Sequence, residues 1–363
     1  NSENYMKKYL ILSLFCGLST LQIGQSQTLR AVVADKTTRA PIENVFIFLA
    51  NSSIGTASEA DGRFELDLAD NEQVVLVFSH INYETLTLEL TEQDLRRDTF
   101  LLTPNNINLE EIQVVQKGNP RLRRRRLRKF TRAFLGESAD PKLVKFANPE
   151  VLLFEEDKEK LIARATDALI IENKQLGYRL QFVLNRFELY RNNDLLYQGS
   201  AFFEPMADEA RYREKRQRAY RVGSRYFFAN LVRGTLDEAD YEVGFSMLNS
   251  AGEFTDYQPV NLDSLTIEQP DDNTFAINVR GYLTVTNKRI SSMEGAAGAP
   301  SLSSGMKDFQ SQQSVYATSY LHSRSGWIIV NRYGRILNPK DIIEYGYWTD
   351  KRIADLLPLD YEP

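Results

Sequence analysis

Apolar residues in the first third of the chain bunch or alternate over strand lengths, not helix lengths. Val45-Phe46-Ile47-Phe48-Leu49 and Val74-Val75-Leu76-Val77-Phe78 are continuous apolar runs, whereas Phe64-Glu65-Leu66-Asp67-Leu68 alternates. Asp61-Gly62 precedes the alternating run and supplies the positive φ angles that a tight hairpin turn needs. Roughly seven short strands fit between Thr28 and Pro104, with turn signals every ~8–12 residues. The pattern predicts a small, seven-stranded antiparallel β-sandwich over residues 27–104.

The pattern changes further along. Pro104 to Asn108 reads as a linker and Leu109 to Val115 as one more strand, so residues 105–118 connect two units. Asn119-Pro120 then opens a helix, with Asn as N-cap and Pro at the first helical position, and Gly136 ends it. Leu127, Phe130 and Phe134 recur at helical spacing and predict a buried side. A second helical stretch spans Asp208 to Arg233, broken at Gly223-Ser224 with Ser224 as a cap. Between and after the helices, strand-length runs dominate: Val151–Phe154, Ala168–Ile171, Tyr178–Leu184, Phe187–Tyr190, Tyr197–Phe203, Ser264–Glu268, Thr274–Val285 and Ser314–His322. Trp327–Val330 and Ile336 suggest a hairpin around Gly334, and residues 353–357 a short closing helix. Ser291 to Lys307 is a low-complexity loop. The expected fold is therefore mainly β with a few helices: a sandwich followed by a larger β-rich α+β domain over residues 119–363.

The opening strand with Asp35-Lys36-Thr37, Pro41-Ile42-Glu43-Asn44-Val45, the run from Ile54 to Leu66, and Asn82-Tyr83-Glu84-Thr85 together resemble the carboxypeptidase-regulatory-like domains of Bacteroidota envelope proteins. The resemblance implies a transthyretin/Ig-like sandwich, an accessory module that carries no catalysis. Glu43-Asn44 and Asn82 stand where Pro-Gly and Gly are common, and Asn is the best non-glycine substitute for a left-handed turn. Leu109-Glu110-Glu111 is similar to a segment that follows this domain in outer-membrane TonB-dependent transporters, but about 250 residues remain, too few for a 22-stranded barrel. Phe134-Leu135-Gly136-Glu137, Leu176-Gly177-Tyr178 and Arg352 to Pro358 resemble a recurring, uncharacterised second domain of the same envelope proteins, and no mechanism comes with it.

Lys7-Lys8, the apolar run from Tyr9 to Leu21 and Gly24-Gln25-Ser26 describe a secretory signal peptide over residues 1–26. Cys16, the only cysteine, falls inside it and follows a bulky Phe15, which argues against a lipoprotein cysteine. Cleavage would remove two lysines and one glutamate and shift the net charge from −5 to about −6. A mildly acidic exported chain is not a candidate for bulk nucleic-acid binding.

His80 and His322 are the only histidines. That is a poor supply for a catalytic zinc or a Ser-His-acid triad, and the simpler reading of each is a partly buried strand-end residue. No phosphate loop or dinucleotide fingerprint occurs, so no cofactor is expected. Trp327 and Trp348 read as core residues before they read as sugar platforms. The unusual chemistry is cationic. Eight of the twelve residues from Arg121 to Arg132 and seven of the fifteen from Arg211 to Arg225 are Lys or Arg. Arg121, Arg123, Arg124, Arg125, Arg126, Arg128 and Lys129, with Arg211, Arg213, Arg216 and Arg218, form the candidate binding surface. The alternative is a solvated face neutralised by the chain's own acids, Glu110-Glu111 and Glu155-Glu156-Asp157.

These observations lead to the expectation of a non-enzymatic, periplasmic protein peripheral to the outer membrane. It would dock an outer-membrane protein complex or lipoprotein through its sandwich and basic helices, with an anionic lipid surface as a further partner. The competing class is an enzyme acting on envelope peptide or glycan through a carboxylate pair.

Overall fold

The computed structural model describes residues 28–68, 75–91, 93–105, 119–136, 138–290 and 317–363. The expected signal peptide with Cys16, the strand over Leu109–Val115, Glu110-Glu111 and the loop from Ser291 to Lys307 lie outside the described residues.

Seven strands build the N-terminal unit: β1 (Thr28–Asp35), β2 (Phe46–Leu49), β3 (Gly55–Ala57), β4 (Arg63–Asp67), β5 (Val75–His80), β6 (Tyr83–Glu89) and β7 (Thr99–Leu102). They form two sheets, ordered β4-β1-β7 and β3-β2-β5-β6. Every pairing is antiparallel except β1 with β7, which is parallel. Leu29, Val33, Ile47, Phe64, Leu76, Phe78 and Phe100 fill the space between the sheets. The Asp61-Gly62 turn is present, with Gly62 at φ 77, but it does not make the expected hairpin. It carries the chain from β3 in one sheet to β4 in the other. A Cβ on Gly62 would lie 2.5 Å from the Val33 carbonyl oxygen, so glycine is required twice over.

The residues that carry the family resemblance are structural. Asp35 accepts hydrogen bonds from the amides of Thr37 and Thr38 at 2.7 Å each and from the Tyr83 hydroxyl at 3.0 Å. Buried Ser58 donates to the Ile42 carbonyl and accepts from the Val45 amide. Asn44 adopts φ 59, the left-handed conformation expected of it, whereas Asn82 is not among the positive-φ residues.

Residues 119–363 contain two hydrophobic cores. The first is a six-stranded antiparallel sheet of β8 (Val144–Phe146), β9 (Leu152–Glu156), β10 (Lys160–Ala165), β11 (Leu169–Asn173), β12 (Tyr178–Tyr190) and β13 (Leu195–Pro205). Helix α1 (Pro120–Leu135) packs on it, burying Phe130 and Phe134 against Phe154, Phe182 and Phe187. Asn119 caps the helix by accepting from the amides of Arg121 and Leu122, and Gly136 closes it at φ 99. Phe187–Tyr190 is not a separate strand but the end of β12, beyond a bulge between Leu184 and Arg186.

Helices α2 (Arg213–Arg221) and α3 (Ser224–Arg233) connect to the second core, with a short 3-10 turn at Glu209–Tyr212 before them. The break falls at Gly223 as expected, but Gly223 is the N-cap and no side chain caps α3. The second core joins a five-stranded and a three-stranded sheet. The first contains β14 (Tyr241–Leu248), β15 (Phe254–Pro259), β18 (Tyr282–Asn287), β19 (Thr318–Ser323) and β21 (Ile342–Gly346). The second contains β16 (Ile267–Glu268), β17 (Thr274–Asn278) and β20 (Trp327–Asn331). Phe227, Phe228 and Trp348 are buried among them. The expected strand over Thr274–Val285 is two strands, because Gly281 turns the chain at φ 80.

The sandwich is seated on the first of these cores. Phe46, Phe48, Val75 and Val77 project from its β3-β2-β5-β6 sheet and meet Val183 and Phe202 on β12 and β13. The Asn51-Ser52 turn makes a parallel bridge to Phe202. Asn51 and Ala201 exchange two hydrogen bonds, at 2.6 and 3.1 Å. The C-terminal tail ties the same turn down: the Leu359 amide donates to the Asn51 carbonyl, and the Ser53 amide and hydroxyl donate to Asp360.

Candidate basic interaction surface

Helix α1 sorts its cations into two sets. The first set is paired within the protein. Arg123 donates to the carbonyls of Leu152 at 2.8 Å and Pro149 at 3.1 Å, and its guanidinium lies 5.9 Å from the centre of the Phe154 ring. Arg125, Arg126 and Lys129 converge on one carboxylate, Glu156, at 2.9, 3.2 and 2.6 Å. Burial pushes the Glu156 carboxyl up, but the hydrogen bonds from Lys129, Arg125 and Arg126 outweigh it and hold the pKa at about 2. Glu156 was one of the acids available for self-neutralisation, and that reading holds for these three cations.

The outward set is different. Arg121, Arg124 and Arg128 are exposed and have no side-chain partner among the described residues. Their spacing of three and four residues places them one above another along the helix, so they form a single cationic row.

The second basic stretch also divides. Arg216 is not a surface residue: it is 5% exposed, and this corrects the expectation that it belongs to a binding face. Its guanidinium donates to the carbonyls of Leu176 and Gly177 and stacks 3.9 Å from the centre of the Tyr178 ring. Those carbonyls sit at the β11–β12 turn, where Gly177 takes φ 73, and the arginine satisfies them internally. Arg225, which lay in the same charged run, is half-buried and holds the C-terminal tail through the carbonyls of Pro358 and Tyr361. Arg211, Arg213 and Arg218 are exposed, as expected, together with Lys215. Arg211 rests near the Tyr212 ring, at 5.9 Å.

Two carboxylates titrate unusually high. Burial pushes Glu344 up to about 7 against the opposing charge of Arg352, and burial also raises Asp355. Glu344 Oε1 has no hydrogen-bond partner. His80 ends β5 and His322 lies near the end of β19, both partly buried. Trp348 is a core residue whose Nε1 donates to the Val222 carbonyl. Among the described residues no group of three His, Cys, Asp or Glu side chains is placed to hold a metal ion. No helix among them is long and apolar enough to cross a membrane.

Residues 30–114 match the family model of the CarboxypepD_reg-like domain. No curated protein and no solved structure matches the chain.

Proposed function

With a carboxypeptidase-regulatory-like domain at residues 30–114 as the premise, we propose that this is a non-enzymatic accessory protein that docks onto an anionic partner through helix α1. The observation that supports this reading is the row Arg121-Arg124-Arg128. Like charges three and four residues apart on a helix destabilise it by a few tenths of a kcal/mol per pair, and the positive dipole end adds to this at Arg121 in the first turn. Arg123, Arg125, Arg126 and Lys129 offset that cost through internal partners, while the three outer arginines have none among the described residues. An uncompensated local cost at a surface fits a partner that supplies the missing anions.

The sandwich adds a second docking element, joined to the helix-bearing unit by the Phe46–Phe202 contact and the Asn51 turn. The partner in this proposal is an outer-membrane protein complex or lipoprotein on its periplasmic side, with anionic headgroups beside it, and the chain reaches it as an exported protein. Flotation of the full chain with envelope membranes tests the proposal. At low salt the wild type floats and Arg121→Gln/Arg124→Gln/Arg128→Gln does not, and high salt releases the wild type. Equal flotation of both proteins would refute the role of the row.

A further inference from the structure

Where the sandwich meets the six-stranded sheet, the boundary opens into a cleft of ≈ 270 Å³. His80, Tyr83 and Glu84 line it from the sandwich, and Thr166, Asp167 and Asn185 from the sheet. A β-bulge sits on each lip. The β5–β6 register shifts between Phe78 and His80, and the β12–β13 register shifts between Leu184 and Arg186. Bulges re-aim the side chains beside them and end regular pairing, and they concentrate next to binding sites. Two of them, on separate sheets, frame one opening.

The chemistry of the lining is specific. His80 Nδ1 accepts from the Asn82 amide at 3.2 Å, which leaves Nε2 as the donor. Burial lowers the His80 pKa, with Asp167 opposing, so the ring is neutral near pH 7. It meets the Tyr83 ring edge-on at 5.3 Å. Asp167 uses one oxygen on the Ala168 amide. The side chains of Glu84, Thr85 and Asn185 have no hydrogen-bond partner among the described residues. No lysine or arginine among the described residues lines the cleft.

We propose that this cleft binds a single sugar unit and that its two carboxylates select an amino sugar over an acidic one. At ≈ 270 Å³ the volume lies just below the usual range of about 300–1,000 Å³ for ligand sites, which leaves room for one small unit. Sugar hydroxyls both donate and accept, matching a lining of carboxylate, amide and hydroxyl groups, and the Tyr83 and His80 rings line the same cleft. Glu84 and Asp167, with no lysine or arginine among the described lining residues, favour an ammonium group and repel a uronate or phosphate. The inference is independent of the arginine row on α1.

Calorimetric titration of the full chain with glucosamine, glucose and glucuronate, each to ~20 mM, tests it. Glucosamine saturates, glucose binds more weakly and glucuronate does not bind. Asp167→Asn weakens glucosamine about tenfold and glucose less than about twofold. Asn185→Ala weakens both, and Thr85→Ala serves if a melt shows that Asn185→Ala is misfolded. Absence of saturable binding to all three sugars, glucuronate binding as tightly as glucosamine, or indifference to the Asp167 and Asn185 variants would overturn the assignment.

Discussion

Replacing Glu156 with Gln removes the one carboxylate that three α1 cations share. Its side chain is only 12% exposed, so the ionised form survives there because Lys129, Arg125 and Arg126 surround it. The folded-state pKa of about 2 lies below the ordinary 4.5. A depressed acid contributes stability that is fully present above the unfolded-state pKa and lost as pH falls through the folded-state one. The drop would be worth at most ~3 kcal/mol. Arg125 and Lys129 are 55% and 46% exposed, so solvent screening reduces their share, and ~1–2 kcal/mol remains. Glu156→Gln therefore lowers the unfolding free energy by ~1–2 kcal/mol at pH 7. The deficit shrinks steadily between about pH 4.5 and pH 2. Urea unfolding followed by far-UV circular dichroism at pH 7 and near pH 2.5 measures both ends. A deficit of equal size at both pH values, or none at pH 7, would show that the cluster does not hold α1 by charge.

Other sites give separate expectations. Arg216→Ala strands the Leu176 and Gly177 carbonyls and loses the Tyr178 stack, costing ~3 kcal/mol in the same unfolding assay. Glu344→Gln goes the other way. The Glu344 pKa is raised to about 7, so the native state binds the extra proton and stability falls as pH climbs from 4.5 through 7. The Gln variant is thus ~1–2 kcal/mol more stable than wild type at pH 8 and no different at pH 4. Phe202→Ala removes the ring packed at 4.8 Å on Phe46 and loosens the seat of the sandwich. It costs ~3 kcal/mol and appears as faster proteolytic separation of the two units.

Much of the fold was legible because local signals agreed with one another. Asn119, Pro120 and Gly136 bound α1 at the expected residues, and Phe130 and Phe134 face the core. The continuous apolar runs of β2 and β5 reflect two buried faces. Alternate residues Phe46, Phe48, Val75 and Val77 form a second buried face, and that face is the one covered by β12 and β13. Strand β14 (Tyr241–Leu248) alternates apolar and polar residues, but Gly244 interrupts the pattern. There the Tyr257 ring lies against the glycine, and a Cβ would come within 2.4 Å of it. The division of the arginines could not be read in advance. Arg216 and Arg218 have the same charge in the same run, and only tertiary packing against Tyr178 and the Leu176 carbonyl distinguishes them. The cleft at His80 and Asp167 joins strands about ninety residues apart, and no spacing rule spans that distance.

The most direct test of the docking account is tagged purification of the full chain from native membranes in mild detergent, run side by side for the wild type and Arg121→Gln/Arg124→Gln/Arg128→Gln. The account predicts a stoichiometric outer-membrane protein or lipoprotein with the wild type, absent from the triple variant. A clean monomer from the wild type, or the same partner retained by both, would contradict it.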